Sequence, residues 1–135
     1  MKKKIALLVV AILAITGFAG CSQTASNNSD TIKIGLNYEL SGGVATYGQS
    51  SVAGIELAIE EINEAGGING KKIQAVKYDN KSEEAEATTL ATKLMSQDKV
   101  LTVIGPATSG AFKATIPVAE QNKIPVISGN GRLCF

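Results

Sequence analysis

Apolar and polar residues alternate along Ile32-Lys33-Ile34-Gly35-Leu36-Asn37, the period-two pattern that predicts a β-strand. Gly42, Gly43 and Gly48 punctuate a loop after it. Over residues 49–65 the spacing changes. Val52, Ile55, Ala58, Ile59 and Ile62 recur at helical intervals, and Glu56, Glu60, Glu61 and Glu64 occupy much of the remaining surface. Gly66 and Gly67 stop this helix, and Asn69-Gly70 makes a turn. A second strand over 72–78 leads to Asp79. Ser82 then reads as a helix N-cap, with Glu83 and Glu84 in the first turn to complement the helix dipole. Ala87, Leu90, Ala91, Leu94 and Met95 give that second helix its apolar stripe. Residues 100–104 form a short apolar strand, suited to a sheet covered on both faces. A third helix is expected over 109–122. Pro117 should kink or divide it, because proline lacks the amide donor. Residues 124–127 make a fourth strand.

The order β-α-β-α-β-α-β defines an α/β class: an open parallel sheet with helices on both faces and right-handed crossovers. In such sheets ligands bind beyond the carboxyl ends of the strands. Three loops lie there, 38–48, 105–109 and 128–131.

The first twenty residues follow another logic. Lys2, Lys3 and Lys4 precede an apolar run of 11 residues, 5–15, which is short for a bilayer crossing of about 20 residues. Ala19 and Gly20 then stand before Cys21, as at a signal-peptide cleavage site. The stretch Phe18-Ala19-Gly20-Cys21 resembles a bacterial lipobox, with Phe18 where leucine is more usual. Residues 1–20 are therefore expected to be a lipoprotein signal peptide. An ordinary cleaved signal and an uncleaved anchor helix are the alternatives. A lipidated Cys21 would hold the protein at a membrane, since each buried methylene contributes about 0.8 kcal/mol. Residues 21–31 are then the lipid-bearing cysteine and a polar tether, with no large apolar side chain to bury.

Composition narrows the chemistry. The 135 residues are 44% hydrophobic and 19% charged, and that length suits one small globular domain. Setting aside the three lysines of the leader leaves ten basic residues against twelve acidic ones, a net charge of −2. No basic patch with interleaved aromatics is present, so no nucleic-acid partner is expected. With no histidine and two cysteines far apart, Cys21 and Cys134, neither a metal site nor a cofactor is expected. A Cys21–Cys134 disulfide is conceivable, but lipidation would consume the first thiol. The helix glutamates read as a solvated face, and Asp79 has no evident catalytic partner. Gly66-Gly67-Ile68-Asn69-Gly70-Lys71 lacks the first glycine of a phosphate loop and joins helix to strand, the reverse order. An enzyme is disfavoured, and no catalytic residue is assigned.

Two loop residues are candidates for binding. Tyr47 offers a flat apolar wall and a hydroxyl, or else packs on the start of the first helix. In Gly105-Pro106-Ala107-Thr108-Ser109-Gly110, two hydroxyls and several amides gather at a helix N-terminus, a ready site for a carboxylate. Ser109 either caps its helix or meets a ligand there, and both can hold at once.

Taken in order, several motifs resemble the periplasmic binding proteins for branched-chain amino acids and related ligands that serve ABC importers. They are Leu40-Ser41-Gly42 with Tyr47-Gly48, Glu61-Ile62-Asn63 leading to Gly66-Gly67-Ile68-Asn69-Gly70, and Tyr78-Asp79. Ile104-Gly105-Pro106 with Thr108-Ser109, and Ile124-Pro125-Val126-Ile127-Ser128, complete the set. The resemblance implies a two-lobed type I fold that closes on a ligand by hinge motion and delivers it to permease subunits. Residues 32–128 would be part of its N-terminal lobe. It further implies that Ser109 binds an α-carboxylate, that Tyr47, Ala107 and Thr108 line the side-chain pocket, and that the Asn130 carbonyl meets the α-amino group. The implied ligand is an amino acid of the Leu/Ile/Val type, with urea, amides and aromatic acids as other family ligands, and a monomer is the default. After Ser128 the family continues with small residues and a threonine, whereas residues 129–135 read Gly-Asn-Gly-Arg-Leu-Cys-Phe. This ending points to truncation or a shifted frame, so Arg132 is given no role. A product of these residues alone is expected to bind amino acids poorly if at all, and its sheet to expose an edge and an apolar face. A sensory receptor module of the same fold is the rival reading.

Overall fold

A computed structural model describes residues 31–129. The leader 1–20, Cys21, most of the tether, Asn130 and the chain beyond it lie outside the described residues. The elements are β1 (Thr31–Tyr38), α1 (Ala45–Glu64), β2 (Lys72–Asp79), α2 (Glu84–Ser96), β3 (Thr102–Ile104), α3 (Ser109–Asn122) and β4 (Val126–Ile127). The pairings between these four strands are all parallel, in the order β2-β1-β3-β4. The expected α/β class and element order are thus observed. β1 opens at Thr31, one residue inside the segment assigned to the tether.

Each face of the sheet has its own core. On one face Ile34, Leu36 and Tyr38 of β1 pack with Val52 of α1 and Ala107, joined by Ile55, Ile59, Ile73 and Ala75. On the other, Ala91, Leu94 and Met95 of α2 meet Val100 and Val103, with Val118 and Ala119 of α3 alongside. The alternation in β1 therefore marks two buried faces rather than one wet and one dry. Its second face carries Gly35, where an added Cβ would lie 3.0 Å from Leu94, so α2 packs directly on the strand. Asn37 is fully buried beside it and donates from Nδ2 to the Ala87 carbonyl at 2.8 Å. That bond satisfies a group whose burial unpaired costs about 1–3 kcal/mol.

Four details depart from the expected pattern. α1 begins at Ala45, a turn earlier than the apolar spacing indicates, so Tyr47 and Gly48 belong to the helix. Ser82 is not the N-cap of α2. Glu83 occupies that position without a side-chain cap bond, and the Ser82 hydroxyl serves the β1–α1 loop instead. α3 runs without a break through Pro117, which lies on its exposed side. The carbonyl left without its amide partner there can be met by water. β3 and β4 are shorter than expected, although Val100 is buried in the core.

Asn63, near the end of α1, accepts from the Ile73 amide at 2.7 Å and donates to the Ile73 carbonyl at 2.9 Å. The side-chain amide thereby occupies one backbone pair of β2, an outer strand. Glu56, Glu60, Glu61 and Glu64 are exposed as expected, with Glu56 paired to Lys77 at 2.5 Å.

Candidate functional site

β1 and β3 are neighbours, but their following segments part. The chain leaving β1 enters α1 on one face, and the chain leaving β3 enters α3 on the other. Such a divergence opens a crevice at the carboxyl ends of the strands. A cleft of about 370 Å³ sits there, lined by Val44, Tyr47, Ala107, Thr108 and Ser109. Tyr47 projects from the first turn of α1 and is 66% exposed, so it forms a wall of the cleft rather than part of the core. A larger concavity of about 650 Å³, lined by Lys33, Asp98, Lys99 and Leu101 among others, lies at the amino ends of the strands. That is the wrong end for ligand binding in an open parallel sheet.

The β1–α1 side of the cleft is held by a network. Asp79 Oδ1 accepts from the amides of Leu40 (2.9 Å), Ser41 (3.1 Å) and Lys81 (2.8 Å), and Oδ2 accepts from the Ser41 hydroxyl at 2.6 Å. Burial by itself would raise the Asp79 carboxyl, but the Ser41 hydroxyl and the Lys81, Leu40 and Ser41 amides outweigh it and hold it below the usual value. Ser82 donates its hydroxyl to the Ser41 carbonyl at 2.8 Å and accepts from the Val44 amide at 3.3 Å. Gln49 Nε2 donates to the Leu40 carbonyl at 2.8 Å. Gly48 lies so close to the strand end that a Cβ would run into the Glu39 carbonyl.

The β3–α3 side is gripped from below by a residue the hydropathy pattern does not single out. Glu39, immediately after β1, is fully buried. Its Oε2 accepts from the Ala107 amide at 2.9 Å, and its Oε1 accepts from the Thr108 amide at 3.1 Å and the Thr108 hydroxyl at 2.8 Å. Thr108 is the N-cap of α3 but makes no side-chain cap bond, because its hydroxyl is turned to Glu39. Ser109 is consequently the first residue of the helix, not its cap. The Glu84 carboxylate lies against Gly110, where any Cβ would collide with it. At Gly105 φ is +97°, and a Cβ would strike the Asn37 carbonyl, so only glycine lets this loop cross so near β1. Ser128 closes the arrangement by donating to the Pro106 carbonyl at 2.7 Å. Tyr38, 3% exposed, has its phenol pushed above its ordinary value by burial and then by the neighbouring Glu39 charge.

Of the residues read from the sequence, Tyr47, Ala107, Thr108 and Ser109 thus share one cleft, and Asn130 lies outside the described residues. Among the described residues, no group of three or more His, Cys, Asp or Glu side chains is placed to hold a metal ion. Glu39 escaped the sequence reading. Its only signal was a charge between Tyr38 and Leu40, directly after an apolar strand.

Known proteins resemble this chain in sequence and fold. Residues 31–133 match a family described as periplasmic binding protein. The leucine-, isoleucine-, valine-, threonine- and alanine-binding protein of Pseudomonas aeruginosa is 37% identical over 118 residues, 87% of this chain and 30% of that one. A solved branched-chain amino acid transporter substrate binding protein from Streptococcus pneumoniae, in complex with isoleucine, is 50% identical with a TM-score of 0.75. It is matched over 76% of this chain and 30% of its own. A solute binding protein of an ABC transporter from Rhodopseudomonas palustris, in complex with 3,4-dihydroxybenzoic acid, is 32% identical with a TM-score of 0.68, over 73% of this chain and 27% of its own. The chain thus spans about 30% of the length of the curated relatives it matches. Sheet order, a cleft at the switch point and a match over most of its length agree: the chain belongs to the periplasmic binding protein family.

Proposed function

We propose that this chain supplies the N-terminal-lobe half of an amino-acid site in an extracytoplasmic binding protein of an ABC importer, with Leu, Ile or Val as ligand. The observation that carries the reading is the cleft where Val44 and Tyr47 face Ala107, Thr108 and Ser109 at the start of α3. The first-turn amides of a helix lack helical acceptors and favour an anion. In this reading the Ser109 hydroxyl and amide take the ligand α-carboxylate. Tyr47, Ala107 and Thr108 contact the side chain, and the Asn130 carbonyl takes the α-ammonium group. The relatives' ligands support an amino acid, since the protein from Pseudomonas aeruginosa is named for five and the one from Streptococcus pneumoniae holds isoleucine. Residues 1–20 direct export, Cys21 carries the lipid, and the protein works as a monomer that hands its ligand to permease subunits.

A competition series tests the ligand assignment. Leucine, isoleucine and valine should bind saturably, and weakly because the cleft is open on one side. Glucose and 3,4-dihydroxybenzoate should not compete. Preference for either of the latter contradicts the amino-acid reading. For the anchor, cells fed a clickable palmitate analogue should label the protein and not its C21S variant. Equal labelling of both removes Cys21 as the lipid site.

A further inference from the structure

We infer that the amino-terminal end of the sheet is a docking surface for an anionic lipid bilayer, with Lys33, Lys71 and Lys99 meeting the headgroups and Leu101 entering the interface. This rests on the lipid anchor at Cys21 proposed above. The surface is the concavity of about 650 Å³ at the end of the sheet opposite the ligand cleft, whose lining includes those four residues, Thr31 and Asp98. Three lysines thus stand with one carboxylate. Asp98 is half-buried, with its Oδ2 sheltered from solvent, while Lys71 and Lys99 are exposed. Among the described residues the ion pairs are Lys77 with Glu56 and Lys81 with Glu86, so none of these three ammonium groups is in one. Apolar surface accompanies the charge. Leu101 is 66% exposed and donates its amide to the Lys33 carbonyl at 2.8 Å. Ile68 is 46% exposed and exchanges two backbone hydrogen bonds with Lys71.

The chain that reaches this end indicates what covers it. β1 starts at Thr31, itself part of the lining, ten residues after Cys21. Ten residues span at most about 36 Å, so an acyl group on Cys21 keeps these lysines within reach of the membrane surface. Attraction to an anionic leaflet acts over about 8 Å at physiological ionic strength. It strengthens attachment about fivefold per lysine, enough to orient the molecule and weak enough to be reversed. Lysine stems beside an exposed leucine are the mixture that settles at a headgroup boundary. Complementing a helix end accounts for Lys99, three residues past α2, but not for the exposed Leu101 and Ile68. Docked in this way, the molecule turns the cleft lined by Tyr47 and Thr108 to the aqueous side, where free ligand is met.

The test places the protein, purified from membranes, on vesicles of phosphatidylcholine alone or with added phosphatidylglycerol, and follows lysine acylation residue by residue. On the anionic vesicles Lys33, Lys71 and Lys99 should react about fivefold more slowly, and raised salt should restore them. Lys81 and Lys113, elsewhere on the molecule, should react alike on both. Amide exchange over residues 68–71 and 99–101 should slow on the anionic vesicles in the same way. A variant combining K33Q, K71Q and K99Q should lose that difference in exchange. Equal acylation of the three lysines on both vesicles, with the protein held by both, overturns the inference and leaves the anchor standing. Slowing of Lys81 and Lys113 by as much as the three overturns it too, because the attraction then belongs to no one surface. If the protein does not stay with neutral vesicles, the lipid anchor fails first and the docking surface fails with it.

Discussion

Asp79 shows how one side chain organises a loop that has almost no apolar content. Three amides and a hydroxyl converge on its carboxylate, and the residues they belong to, Leu40, Ser41 and Lys81, are otherwise strung between β1, α1 and α2. The folded carboxyl titrates below the ordinary aspartate value of 3.8. The stabilisation is therefore fully present above that value and is lost as pH falls through the lowered folded value. D79N should flatten this acid limb of the stability curve. At neutral pH it should cost about 1 kcal/mol, a small figure because the loop is open to solvent. Urea unfolding at pH 7 and pH 3 measures both. The sequence marked Asp79 as a strand end but not its partners, since Ser41 and Lys81 are distant from each other along the chain. Ser82 illustrates the opposite error. Its type and its place before Glu83 and Glu84 fit an N-cap, yet a backbone turn with φ +66° at Ser82 carries the hydroxyl toward Ser41 and Val44. Local chemistry allowed both uses, and tertiary contacts chose.

At the scale of elements, hydropathy was sufficient wherever burial decides. The strand alternation in β1, the helical stripe Val52-Ile55-Ile59 and the stripe Ala87-Ala91-Leu94 all lie in the two cores or pack against them. It failed at the start of α1. Glycine lowers helix propensity by about 1 kcal/mol relative to alanine, so Gly48 reads as a loop residue. Its real reason is contact: the helix crosses the Glu39 carbonyl at that position with no room for a methyl group. G48A should therefore destabilise the fold despite alanine's higher propensity, by about 1–3 kcal/mol as for other overpacked sites. A thermal melt reads the sign directly. A raised melting temperature would mean that α1 can lift off the strand end at no cost. Pro117 failed to divide α3 for a matching reason. It stands on the solvent side of the helix, where water can meet the carbonyl left without its amide partner.

The whole molecule follows from the order β2-β1-β3-β4. The chain runs outward from β1 to β2 and then crosses back to β3 and β4, which places α1 on one face and α2 with α3 on the other and opens a crevice between β1 and β3. The residues picked from the loops that element order places at the carboxyl ends of the strands, Tyr47, Ala107, Thr108 and Ser109, line one cleft. What sequence could not supply was the join between the loops. Glu39 and Gly48 matter through contacts with Thr108 and with each other's backbone, which no periodicity encodes. Among the described residues β4 is the outer strand on one side of the sheet, with Ile127 59% exposed. The central claim is that the crevice between β1 and β3 receives an amino acid. The most direct measurement is a leucine titration of the 15N-labelled protein, followed by amide shifts and repeated with S109A. The account predicts saturable changes at Val44, Tyr47 and residues 107–110 that S109A weakens about tenfold, the loss expected for a charge-assisted bond. Shifts gathered instead around Lys33, Asp98 and Leu101 at the other end of the sheet, or no saturable shifts at all, would contradict it.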